Sequence, residues 1–169
     1  GRMAIYSGIV TQLNLNDDEI AQIMGHEISH ALANHTAERM SRAVLTNGAL
    51  SAAAVFTDNN GMALTGTAMA AKVALELPNS RTAESEADEI GIELAIRAGY
   101  RADAAVSLWQ KMEKAGGSGT PEFLSTHPSP KNRAKTLAKL GEKMKSLNPQ
   151  QTKARVYPVD IVTSAKELQ

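Results

Sequence analysis

The sequence predicts an α+β domain that is mainly α-helical, with a small sheet near its N-terminus. Three observations lead there. Ala, Leu and Met carry much of the apolar content while aromatics make up only 4% of the chain, a balance that favours helix over sheet. A capping signature at Asn16–Glu19 opens a long stretch whose apolar residues recur at helical spacing. Before it, RMAIYSGIV (residues 2–10) alternates loosely and is rich in β-branched and aromatic side chains, the pattern of a strand. With 169 residues the chain suffices for one domain with a real core and is short for two.

The elements follow in order. After the expected strand, Asn16 and Glu19 fit the reciprocal capping box, and Leu15 and Ile20 are placed as its hydrophobic staple. A helix therefore starts at Asp17, with acidic residues in its first turn to suit the macrodipole. Ile20, Ile23, Met24, Ala31 and Leu32 give it an apolar stripe, and Asn47–Gly48 is its expected stop. From Gly48 to Pro78 the chain is Ala-rich, and the turn signal DNNG (58–61) divides it into two short helices. A helix from about Ser80 to Ala98 ends at Gly99, suited to the left-handed cap, and another runs from about Ala102 to Ala115. GGSG (116–119) is a flexible break. THPSPKNR (126–133) then introduces a last helix, with Ser129 as cap and Pro130 at the first helical position. Beyond Pro149, ARVYPVDIV (154–162) resembles a strand that Pro158 would confine to an edge.

Composition excludes several functions. Lys and Arg number 18, as do Asp and Glu, so charge gives no reason to expect nucleic acid or an anionic membrane surface as partner. There is no cysteine, so disulfides and thiolate zinc sites are excluded and any metal must be held by His, Asp or Glu. No apolar run approaches the roughly 20 residues needed to span a bilayer. The opening GRMAIYSGIV lacks a Met start and the regions of a signal peptide, and reads as the middle of a longer chain.

Three of the four histidines fall within GHEISHALANH (25–35). His26 and His30 are four apart, so on a helix both imidazoles leave one face, a turn apart. Glu27 is rotated off that axis yet close enough to meet a metal-bound water. This is H-E-x-x-H, in which two histidines bind zinc and the glutamate serves as general base. The plain reading is a solvated or capped histidine pair.

A catalytic zinc needs a third protein ligand and an open fourth position. RTAESEADEIG (81–91) supplies the best candidate: Glu84 and Asp88 are again four apart, so Glu84 can complete a His₂Glu set. Asp88 can accept the other ring N–H of a ligand histidine and fix its tautomer. Glu86 and Glu89 are acidic too, so an ordinary acidic helix face is the competing reading. His127 is held near extended geometry by Pro128. It is either a surface loop histidine or a group that reaches the site, to stabilise an oxyanion or to take the fourth coordination position.

In order along the chain, GRMAIYSGI, DDEIAQIMGHEISHALANH, SRTAESEADEIGIELAIRAGY and HPSPKNR resemble the HtpX-like and CAAX-prenyl-protease-like (Ste-type) gluzincin zinc metallopeptidases. The likeness is greatest to their soluble bacterial cell-envelope branch and extends from Gly1 to about Leu147. It implies a zincin-like catalytic domain over residues 1–148, with residues 149–169 as a tail or edge strand. It implies one zinc ion per chain on His26, His30 and Glu84, Glu27 as base, and Asp88 behind the ligands. It further implies that Met3, Ala4, Ile5, Tyr6 and Ser7 form an edge strand on which an extended polypeptide substrate pairs. His127 becomes a switch or a catalytic helper, Arg133 a site-supporting or structural residue, and His35 a structural one. Periplasmic or outer-membrane-associated placement, with a lipid anchor upstream, follows from the resemblance alone. Integral-membrane relatives carry transmembrane helices that this chain lacks.

The function so implied is zinc-dependent hydrolysis of peptide bonds in unfolded or misfolded envelope proteins, as protein quality control, with Glu27 activating a zinc-bound water. Two other classes compete. One is a latent or inactive zinc-binding chaperone or adaptor whose site is plugged by His127. The other is a purely structural metal site, in which loss of Glu84 unfolds the domain.

Overall fold

Two crossing helices carry most of the site. The computed structural model describes residues 3–56, 61–71, 77–115, 127 and 132–155. Within them lie α1 (Ser7–Gln12), α2 (Asp17–Leu32), α3 (His35–Phe56), α4 (Gly61–Ala71), α5 (Leu77–Arg97), α6 (Ala104–Ala115) and α7 (Arg133–Met144), the last followed by a 3-10 turn, Lys145–Leu147.

Asn16 opens α2 with the full capping box: the Glu19 N–H donates to Asn16 Oδ1, and the Asn16 N–H donates to Glu19 Oε2, each at 3.0 Å. The Glu19 carboxylate is also a tie to α6. It is 1% exposed and accepts from Ser107 Oγ at 2.7 Å and from Lys111 Nζ at 2.6 Å. Burial opposes its charge, but the bonds from Lys111, Asn16 and Ser107 outweigh burial and hold its pKa below the ordinary carboxylate value.

The most extensive helix contact is α2 on α5. The buried face of α2 is largely polar, comprising Glu19, Gln22, Ile23, Gly25, His26 and Ser29. At its centre the two backbones touch. A Cβ on Gly25 would stand 2.6 Å from the carbonyl oxygen of Gly91, and one on Gly91 would stand 2.8 Å from the nitrogen of His26. Only glycine fits at both places. The apolar core lies to one side of this crossing. Ile92, Ile96, Ala105, Leu137 and Met144 form one cluster, Leu13, Ile23, Leu108 and Met112 another, and Trp109 packs against both. Each of the larger side chains contributes roughly 1.5–3 kcal/mol by its burial. α5 ends as expected: Gly99 has φ 90°, its N–H donates to Ile96 O at 2.9 Å, and Tyr100 N–H donates to Ala95 O at 2.9 Å, a Schellman motif.

The expected small sheet is not there. Among the described residues no strand occurs, so the regular structure they form is helical throughout and the α+β expectation is not met there. Met3, Ala4, Ile5 and Tyr6 have no regular structure and Ser7 begins α1, so an edge strand for substrate has no basis over these residues. The cause is tertiary. Ile9 and Leu13 are four apart, the spacing of one helix face, and that face packs with Leu15 against Leu108 and Met112. Without a partner strand, β-branched residues alone do not hold an extended segment.

Two helix boundaries also move. The single helix expected from Asp17 to Gly48 is broken at Ala33–Asn34, where Asn34 takes φ 56° in the left-handed region. α3 then passes Gly48 and runs to Phe56. The GGSG break, the Ser129–Pro130 cap, most of the expected C-terminal strand including Pro158, and most of the DNNG turn lie outside the described residues; Ala154 and Arg155 carry no regular structure.

Two predictions follow from this packing. Gly91→Ala overpacks the crossing and costs about 1–3 kcal/mol, whereas Gly48→Ala, where an added Cβ meets nothing within 4 Å, gains up to about 1 kcal/mol; thermal melting of the two variants separates them. Glu19→Gln costs about 1.5–3 kcal/mol near neutral pH. Because the folded pKa of Glu19 is depressed, that difference is full above its ordinary value of 4.5 and shrinks as pH falls below it. Urea midpoints across this range give the comparison, and a gap that ignores pH contradicts the charge assignment.

Candidate metal centre

The α2–α5 crossing decides which side chains meet. His26 follows Gly25 directly, while Glu84 and Asp88 precede Gly91 by seven and three residues and so share its face. Four residues converge: His26 and His30 from α2, Glu84 from α5, and His127 from between α6 and α7. Each offers one ligand atom, and all of these atoms lie within 4.8 Å of one another. His26 Nε2 is 3.1 Å from His30 Nε2, 3.3 Å from His127 Nδ1 and 3.3 Å from Glu84 Oε2. His30 Nε2 is 3.4 Å from Glu84 Oε1, and His127 Nδ1 is 3.1 Å from both Glu84 oxygens.

These separations test the fit of a metal. Four ligands at about 2.0–2.1 Å around tetrahedral zinc stand roughly 3.3–3.4 Å apart. The five donor pairs given above, at 3.1–3.4 Å, fall close to those edges. Ring nitrogens this close, with lone pairs directed at one another, need a proton or a cation between them. The charge balance points the same way. The carboxylates of Glu84 and Asp88 share one guanidinium, Arg133, and Glu27 meets only the His127 ring, so with neutral histidines an excess of negative charge is left for a dication to neutralise.

Behind the donors, His26 Nδ1 lies 3.1 Å from Asp88 Oδ1. Arg133, 4% exposed at the start of α7, clamps that carboxylate: Nε donates to Oδ2 at 2.7 Å and Nη2 to Oδ1 at 2.6 Å. Its Nη1 is 3.7 Å from Glu84 Oε2, and its guanidinium lies 4.4 Å above the Trp109 ring. Burial opposes a charged His26, yet the bonds to Asp88 and Glu84 outweigh it and raise its pKa. Burial likewise opposes a charged Glu84, and the rings of His127, His26 and His30 hold that carboxyl far below its ordinary value.

Glu27 is half-buried at the rim, with Oε1 3.4 Å from His127 Nε2. His127 therefore touches the donor cluster with one ring nitrogen and the acid beside it with the other. His35 also belongs to this neighbourhood, because its Nδ1 is 2.9 Å from His30 Nδ1. Sequence spacing singles out His26, Glu27, His30, Glu84 and Asp88, His127 stands open between a loop and a site role, and the family resemblance adds Arg133; the fold brings all seven to one place. Met3 to Ser7 are not among the residues it joins there. The roles of Gly25 and Gly91, of Trp109, and of Glu86 beside His35 went unread. Two mid-helix glycines on the ligand face were the available signal.

Comparison with known proteins agrees with this geometry. Residues 1–140 match the family model for peptidase family M48. The chain is 35% identical over 142 residues to the mitochondrial metalloendopeptidase OMA1 of Arabidopsis thaliana, a match covering 82% of this chain and 27% of that protein. To the OMA1 protein of Saccharomyces cerevisiae it is 34% identical over 145 residues, covering 82% and 41% respectively. To the beta-barrel assembly-enhancing protease of Escherichia coli it is 32% identical over 143 residues, covering 79% and 29%. The chain thus spans between about a quarter and two fifths of the length of these relatives. No solved structure matches it. Because the family match runs over residues 1–140 and takes in His26, His30, Glu84 and His127, the chain belongs to peptidase family M48.

Proposed function

We propose that residues 1–148 are the catalytic domain of a zinc-dependent endopeptidase, with His26, His30 and Glu84 as metal ligands and Glu27 as general base. The single observation that carries this is the convergence of four donor atoms within 4.8 Å of one another beside Glu27, which stands outside the donor set. Zinc, when bound, supplies Lewis acidity that lowers the pKa of water and polarises a peptide carbonyl. Glu27 takes the proton of the attacking water and returns it to the leaving amine. Asp88, neutralised by the Arg133 fork, holds the His26 tautomer by accepting from Nδ1. His127, moved off the cluster, is placed to donate to the developing oxyanion.

The substrate class is a polypeptide in extended conformation. We assign unfolded or misfolded proteins of the bacterial envelope, with support from the Escherichia coli relative, whose name places it in beta-barrel assembly. Relatives named as mitochondrial make a mitochondrial setting the competing one. No helix among the described residues is long and apolar enough to cross a membrane.

One observation favours a second reading. His127 Nδ1 stands at the fourth corner of the cluster while its Nε2 engages Glu27, so the site as seen is closed. A zinc-binding adaptor with a permanently plugged centre would look the same. Cleavage of an unfolded model protein by the wild type, Glu27→Gln and His127→Ala, all at matched zinc occupancy, separates the two. The peptidase reading expects Glu27→Gln to slow cleavage about 10²–10⁴-fold with zinc retained. Equal cleavage by wild type and Glu27→Gln contradicts it. A silent wild type made active by His127→Ala is a latent peptidase, and zinc-loaded proteins that are all silent are an adaptor.

A further inference from the structure

A ligand histidine presents one ring nitrogen to the metal, and whatever meets the other nitrogen decides how the ring is held. For His26 that partner is Asp88. For His30 the outward atom is Nδ1, and it meets Nδ1 of His35 at 2.9 Å. The rings meet at 69°, with centroids 5.0 Å apart. His35 is buried at 8% exposure and is the first residue of α3. It reaches His30 because the left-handed Asn34 turns the chain immediately before it. The other His35 nitrogen, Nε2, lies 3.3 Å from Glu86 Oε2 on α5.

One set of tautomers satisfies these contacts together. If His30 gives the Nε2 lone pair to a metal, its proton is on Nδ1. Nδ1–H then donates to an unprotonated Nδ1 of His35. His35 must in turn carry its proton on Nε2, where it donates to Glu86. The reverse assignment puts a proton on His30 Nε2, within 3.4 Å of the other donors, and removes that nitrogen as a ligand.

We infer that His35 is a positioning residue of the metal centre: it accepts the His30 Nδ1–H, fixes the tautomer and plane of that ring, and is itself fixed by Glu86. This rests on the metal-site reading above. The site then has two unlike supports, a carboxylate clamped by Arg133 behind His26 and a neutral imidazole backed by a carboxylate behind His30. Both reach across the α2–α5 contact, since Asp88 and Glu86 are on α5. A residue that only fills space has no need of nitrogen-to-nitrogen contact, and either of two isosteric amides would replace it equally well.

That difference supplies the test. Zinc affinity by chelator competition, the visible spectrum of the cobalt-substituted protein and the melting temperature of the zinc-free protein are measured for wild type, His35→Ala, His35→Asn and His35→Gln. His35→Ala should weaken zinc binding about 10–100-fold and alter the cobalt spectrum. Asn places a carbonyl where Nδ1 stood, so His35→Asn should restore affinity and spectrum close to wild type. Gln places its amide where Nε2 stood, beside Glu86, and should not. Wild-type affinity in His35→Ala overturns the inference, and so does Asn performing no better than Gln. If His35→Ala fails to fold, the Asn–Gln comparison still decides. A wild type that binds no zinc overturns the metal-site reading, and the role of His35 with it.

Discussion

The site depends on two helix backbones in contact. Ordinary helix pairs stand about 8–10 Å apart because side chains fill the space between them. At Gly25 and Gly91 there is no side chain on either partner and no room for one. His26 begins beside the α5 backbone, so its ring reaches both Asp88 and Glu84 without a long side chain on either helix. The same contact sets the register that carries His30 to Glu84 and His35 to Glu86. Glycine within a helix costs up to about 1 kcal/mol relative to alanine. Here that cost is offset by geometry no other residue permits.

Bringing the helices so close buries charge. His26, Glu84, Asp88 and Arg133 are all buried. Unpaired, such groups would be strongly destabilising, and pairing alone often only offsets their desolvation. Arg133 answers Asp88 with two short hydrogen bonds, while Glu84 meets its guanidinium only at 3.7 Å and is held mainly by the histidines. A bound dication completes this balance. The apolar clusters under α5, α6 and α7 carry the fold beside the polar crossing, and Trp109 links the two regions by packing in both clusters while its ring lies under Arg133. His127 closes the cluster from a segment that belongs to neither helix of the crossing, so access to the site and support of the site rest on different parts of the chain.

Features set by local chemistry were legible in the sequence. The capping box at Asn16–Glu19, the Schellman end at Gly99 and the one-face spacing of His26 with His30 and of Glu84 with Asp88 each need only a few consecutive residues. What could not be read was set at long range. Residues 7–12 show a strand composition, yet the contacts of Ile9 and Leu13 with α6 make them a helix. The break at Asn34 hid inside an unbroken apolar pattern, because asparagine tolerates the left-handed region without requiring it. With that break unread, His35 lay about 140° around a continuous helix from His30, off the face that carries it. Gly25 and Gly91 were readable in principle, as glycines inside helices on the ligand-bearing face, but only together do they signal contact.

X-ray absorption at the zinc edge of the zinc-loaded protein tests the central claim most directly. Four nitrogen and oxygen scatterers at about 2.0–2.1 Å, with the outer-shell signal of imidazole rings, are the expected result. A six-oxygen shell, or no imidazole contribution, would contradict a metal held between α2 and α5 by His26, His30 and Glu84.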